Sequence, residues 1–112
     1  MISEQKLYII TRSDLSPGLQ IAQSCHALRE FVEIHPKIDK AWYKDSNYLV
    51  ILSVNNEFSL ELLIEKAKEN DIKFALFREP DLDDQITAVA FEPSINSKHL
   101  FRDLPLAGKM PR

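Results

Sequence analysis

The chain has a single cysteine, Cys25, which excludes an internal disulfide and makes a reducing cytoplasm its simplest home. It has two glycines and no P-loop, His-Glu-x-x-His or Cys-x-x-Cys, so no motif calls for a nucleoside triphosphate, a metal or another cofactor. No apolar run approaches the roughly 20 residues of a membrane-spanning helix. The opening Met-Ile-Ser-Glu-Gln-Lys lacks the charged-then-apolar order of a signal peptide. An excess of positive charge is also missing: 14 Lys and Arg stand against 17 Asp and Glu, for a net charge of −3. That counts against an extended RNA footprint, although Arg12, Arg29, Lys37, Lys40 and Lys44 could form a local basic patch.

What remains is an ordinary soluble composition, 45% apolar and 28% charged over 112 residues, without repeats or linkers. It fits one domain, 1–112, with a single core. The run Lys6–Thr11 reads as a strand. Pro17 to about Ile34 reads as a helix, capped by Ser16 and ended by Pro36. Its apolar stripe falls on Ile21, Cys25, Leu28 and Val32, so Cys25 is expected in the core. Leu19, Gln23, His26 and Glu30 fall on the opposite side.

The stretch 35–47 has little pattern, and Trp42 within it is expected over a core edge. Tyr48–Val54 is a continuous apolar run, which suits a central strand buried on both faces. A second long helix follows, capped by Asn55 or Asn56 and ending near Asn70 in a left-handed turn. Strands at Ile72–Arg78 and Gln85–Phe91 flank the acidic loop Glu79–Asp84. A short helix through Arg102, capped by Ser94 or Ser97, precedes an extended tail from Leu104. This β-α-β-α-β-β order implies an α/β fold: a three-layer α/β/α sandwich around a small mixed, mostly parallel four-stranded sheet.

The most informative stretch is Asp14–Ala27. A strand ending in Arg12-x-Asp14-Leu15 leads to Gly18-x-x-x-Ala22-Gln23-x-x-His26-Ala27 at the start of a helix. Free amides at such a helix start suit an anion or a developing oxyanion, and Gly18 leaves room for close approach. This pattern resembles the signature of the type 2 peptidyl-tRNA hydrolases, which reads Gly-Lys-x-x-Ala-Gln-x-x-His-Ala after an Arg-x-Asp-Leu turn. Phe77-Arg78-Glu79 and Thr87-Ala88 resemble a second, less well-kept family segment. The likeness runs from about Lys6 to Pro93.

The resemblance implies a hydrolase acting on the ester between a peptidyl or N-blocked aminoacyl group and tRNA, with no cofactor, often as a homodimer. Carried over by position, Gln23 would orient water or substrate, Glu79 or Asp81 would be the catalytic carboxylate, and Thr87 would hold an oxygen. Gly18, Leu19 and His26 would border the substrate. The family lysine falls on Leu19, which cannot carry charge, so Arg12 or Arg78 at the strand ends would have to replace it. A crowded carboxylate run can supply a general base, or can be a solvated turn. Two rivals stand beside this reading. One is a non-catalytic RNA- or protein-binding module on the same scaffold, favoured by Leu19. The other is a small-ester or amide hydrolase using the acidic loop without nucleic acid, favoured by the acidic balance.

Overall fold

A computed structural model of the chain describes residues 5–109; the first four residues, read above for targeting, and the last three lie outside it. In chain order the elements are β1 (Lys6–Arg12), α1 (Pro17–Ile34), α2 (Pro36–Lys44), β2 (Tyr48–Val54), α3 (Glu57–Glu69), β3 (Phe74–Glu79), β4 (Gln85–Phe91) and α4 (Ile95–Phe101), with a 3-10 turn at Pro80–Leu82. The sheet has four strands in the order β2-β1-β4-β3. β1 and β2 pair in parallel, and β4 runs antiparallel to both its neighbours, β1 and β3. Hence β1, β2 and β3 share one direction, but β4 lies between β1 and β3 and opposes them, so the mixed sheet has one parallel and two antiparallel pairings where mostly parallel pairing was expected.

Helices cover both faces, giving the three-layer α/β sandwich expected of the element order. On one side Leu7, Ile9, Ala75, Ala88 and Ala90 pack against Ala27 and Phe31 of α1, with Ile38 and Trp42 of α2 at the margin. On the other side Tyr8, Ile10, Leu52, Val89 and Phe91 meet Leu60, Ile64 and Ala67 of α3 and Phe101 of α4. Small residues on the first side let α1 lie close to the sheet. Bulky ones fill the wider space beneath α3 and α4.

Several local expectations change. β2 is an edge strand, not a central one, and its first two residues, Tyr48 and Leu49, are exposed. β1 and β4 are the true centre, and both strands are buried along nearly their whole length. Residues 36–44 form α2, a helix started by Pro36 with no fully buried residue, so its apolar signal is limited to Ile38 and Trp42 one turn apart. Trp42 lies over the core margin as expected, its indole N–H donating to the Tyr48 carbonyl at 2.7 Å.

The end of α3 shows how a helix stops without glycine. Ile72 N–H bonds the Ala67 carbonyl (2.9 Å) and Asp71 N–H bonds that of Lys68 (3.2 Å), the double closure of a Schellman turn. The left-handed residue is Asp71 (φ 54°), not Asn70, and the turn delays β3 to Phe74. Asp71→Gly is therefore expected to stabilise the fold by about 0.5–1 kcal/mol, the left-handed cost less the added chain entropy. A raised urea midpoint at unchanged slope would show it.

The tail from Leu104 forms a strap along the free edge of β2. Ser53 N–H donates to the Pro105 carbonyl (2.9 Å) and Ala107 N–H to that of Ile51 (3.0 Å). Gln20 of α1 clamps the strap's end, accepting from Gly108 N–H (2.8 Å) and donating to the Lys109 carbonyl (3.1 Å). The strap covers an edge that would otherwise present unpaired backbone to another strand.

Candidate active site

The inner face of α1 is polar where the stripe of Ile21 and Cys25 had been expected inward. Gln20, Gln23 and Ser24 are buried with Ala27 and Phe31, while Ile21 and Cys25 face outward. Buried amides and hydroxyls need partners, and each has one. Gln20 binds Leu15 and the strap, Ser24 donates to the Gln20 carbonyl, and Gln23 reaches two strands.

Gln23 is the centre of a chain of hydrogen bonds. The Thr87 hydroxyl donates to Gln23 Oε1 (2.6 Å), and Gln23 Nε2 donates to Glu79 Oε1 (2.9 Å). The Asp81 N–H points at Glu79 Oε2 at 3.4 Å. Thr87 and Gln23 are buried, Glu79 is half-buried, and Asp81 is exposed. The acceptor-only carboxylate of Glu79 fixes the Gln23 amide with its N–H outward, which leaves Oε1 to take the Thr87 hydroxyl behind it.

Thr87 owes its direction to a β-bulge. Phe77 of β3 pairs with Ala88 and Arg78 with Ile86, so Thr87 is the extra residue. Without the bulge, alternation from Val89 and Phe91 would turn Thr87 toward α3. With it, Thr87 points at α1, and its carbonyl accepts from the Thr11 hydroxyl of β1 (2.9 Å). Thr11 is a supporting residue that reading the sequence missed; a hydroxyl directly following the apolar run Leu7–Ile10 was the available signal.

His26 lies one turn beyond Gln23. It is exposed, and its ring stacks on Phe77 with centroids 4.4 Å apart and planes 15° apart. On the other side of Gln23, one turn earlier, Leu19 is 40% exposed. The helix start offers few donors: Pro17 has none, Ser16 Oγ takes the Leu19 N–H at 3.4 Å, and Gly18 keeps its N–H unpaired among the described residues. A Cβ at Gly18 would meet nothing within 4 Å, so that backbone lies open to an approaching group.

These residues fall within a match to the family model of peptidyl-tRNA hydrolase PTH2, which covers residues 5–106. The chain belongs to the peptidyl-tRNA hydrolase PTH2 family. Among solved structures it is similar to a protein of unknown function, Atu0240 from Agrobacterium tumefaciens strain C58. The TM-score is 0.68 at 14% identity, over 94% of this chain and 98% of that one, so the likeness is one of fold. A search of curated proteins returns no match.

The two arginines stand apart from the PTH2-type cluster. Alternation places Arg12 with Tyr8 and Ile10, and Arg78 with Phe74 and Leu76, on the α3 side of the sheet. Arg12 is buried and forked onto Asp14, with Nη1 also donating to Gln85 Oε1 and the Ile86 carbonyl. Arg78 is exposed and donates to the Asp84 carbonyl at 3.2 Å. Neither occupies the face of Gln23 and Glu79, so the expectation that one of them replaces the family lysine finds no geometry here. The acidic loop spreads outward: Asp81, Asp83 and Asp84 are exposed, the last two in left-handed turn conformation.

Proposed function

We propose that this chain is a cytoplasmic esterase of the peptidyl-tRNA hydrolase type, cleaving the ester between a peptidyl or N-blocked aminoacyl group and tRNA. The reading is carried by the Thr87–Gln23–Glu79 hydrogen-bond chain, which positions a half-buried carboxylate beside α1. In the reaction, Glu79 takes a proton from a water as the water oxygen attacks the acyl carbon. The tetrahedral oxyanion faces the Gly18 N–H, and the carboxyl proton passes to the departing ribose oxygen as the ester bond breaks. Gln23 and Thr87 position the carboxylate, and His26 with Phe77 forms a stacked platform beside it. No helix of the described residues is long and apolar enough to cross a membrane.

Leu19 favours a second reading, a tRNA binder without turnover, since the position where the family has lysine carries an uncharged side chain. Release of an N-acetylated amino acid from tRNA separates the two. Wild type is expected to turn over slowly, Gln23→Ala to lose that rate, and Leu19→Lys to gain roughly tenfold to a hundredfold, the scale of a restored oxyanion partner. Equal inactivity of all three, with tRNA binding that weakens steeply in salt, would establish the binder. Absence of tRNA binding even at low salt would remove both.

A further inference from the structure

At the opposite end of the sheet, on its α3 and α4 side, a cavity of about 340 Å³ opens between the amino ends of β1 and β2 and the start of α4. That volume is within the range of small-molecule sites, about 300–1,000 Å³. Tyr8 lies in its floor, only 6% exposed, its ring packed on Phe101 at 5.5 Å and set in the main core. Yet its hydroxyl has no hydrogen-bond partner among the described residues. Every fully enclosed side-chain polar atom does have one, so the hydroxyl must open into the cavity. A buried tyrosine ordinarily satisfies its O–H. Burial also raises its pKa above the usual value, so it remains a protonated donor.

Among the described residues the rim is of one sign: Lys6 and Lys98 border the cavity and no carboxylate lines it, although the chain as a whole is acidic. Ser94 is committed to capping α4 through Ser97, so it contributes bulk more than a free donor. Tyr48 and Ile95, 48% and 55% exposed, supply apolar walls. Two lysines act as compact positive charges, which suit a multiply charged anion such as a phosphate. The tyrosine ring and isoleucine match a flat organic body.

We propose that this cavity binds a small phosphorylated molecule with a planar ring, its phosphate between Lys6 and Lys98 and an acceptor of its body on the Tyr8 hydroxyl. The site is independent of the Gln23–Glu79 cluster, which lies on the other face and at the other end of β1.

Adenosine monophosphate is a suitable probe, titrated while the amide resonances of Lys6, Tyr8, Tyr48 and Lys98 are followed. Saturable shifts are expected, with inorganic phosphate and adenosine each binding at least tenfold more weakly than the mononucleotide. Tyr8→Phe keeps the ring and should weaken binding about tenfold, the scale of one hydrogen bond in a desolvated site. Its thermal stability should equal or exceed wild type, because an unpaired hydroxyl is removed. Lys98→Ala should weaken binding and flatten its dependence on salt. The proposal falls if low-millimolar nucleotide leaves these resonances unmoved, if Tyr8→Phe binds as wild type does, or if phosphate alone binds as tightly. It also falls if a short RNA fills the same cavity in preference to the mononucleotide.

Discussion

Replacing Arg12 with alanine is expected to cost about 3 kcal/mol of folding stability, the low end of the range for breaking a buried ion pair. The guanidinium makes four hydrogen bonds: Nε and Nη2 to the two oxygens of Asp14 (3.0 and 2.9 Å), and Nη1 to Gln85 Oε1 (2.9 Å) and the Ile86 carbonyl (3.1 Å). It therefore ties the end of β1 to the turn before α1 and to the start of β4. Removing it strands the Ile86 carbonyl beneath the surface and frees the turn that positions Ser16 and Gly18. Asp14 is 40% exposed as a side chain and can be hydrated, which limits the loss. Arg12→Lys should recover little, since one ammonium cannot span Asp14 and β4 together. Arg78→Ala should change stability by no more than about 0.5 kcal/mol, as expected for an exposed side chain. Urea unfolding of the three variants checks the order, and a loss for Arg12→Ala below about 1 kcal/mol would mean that the fork carries little of the fold.

The contrast between these arginines also shows where sequence was a good guide and where it was not. Pro17, Ser16 and Pro36 are local signals, and they placed both ends of α1 because caps and prolines act through backbone chemistry next to them. The turn-bounded apolar run of β4 was similarly plain, and the strand lies where that run placed it, antiparallel to β3. The inward face of α1 was not legible. Hydrophobicity pointed to Ile21 and Cys25, whereas the sheet buries Gln20 and Gln23, whose partners come from Glu79, Thr87 and the strap far along the chain. β2 misled for the opposite reason: its uniform apolar run suited a centre, but the strap and α2 cover an edge. The direction of Thr87 depends on a bulge, and one inserted residue reverses a side chain without changing any local propensity. Within the candidate site, the likeness to a family brought Gln23, Glu79 and Thr87 forward by position. The hydrogen bonds that join them, and the placement of both arginines on the far face, required the fold.

Glu79→Gln is expected to lower hydrolysis of N-acetylaminoacyl-tRNA by about 100- to 1,000-fold, the scale of a lost general base, while leaving fold and tRNA binding in place. The substitution keeps the shape and an acceptor oxygen for Gln23 Nε2, now 2.9 Å from Glu79 Oε1, so the buried amide stays paired. What it removes is the ability to take a proton from water and return it to the ribose oxygen. Glu79→Asp makes the complementary test: basicity is retained, but a shorter side chain withdraws the carboxylate by roughly 1.5 Å, enough to cost on the order of 100-fold in a reaction that depends on alignment. Asp81→Asn should matter little, because Asp81 reaches Glu79 through its backbone N–H and its own side chain is exposed. Thr87→Val probes the layer behind. It preserves volume but leaves Gln23 Oε1 without its donor, so the amide is held through Nε2 alone and can shift to repair the buried loss. Rate should then fall more than tRNA affinity, since the carboxylate is misdirected while the binding surface is unchanged. If Asp81→Asn abolished turnover and Glu79→Gln did not, the base would sit on the solvated turn and the hydrogen-bond chain through Gln23 would be structural, holding α1 against the bulged end of β4.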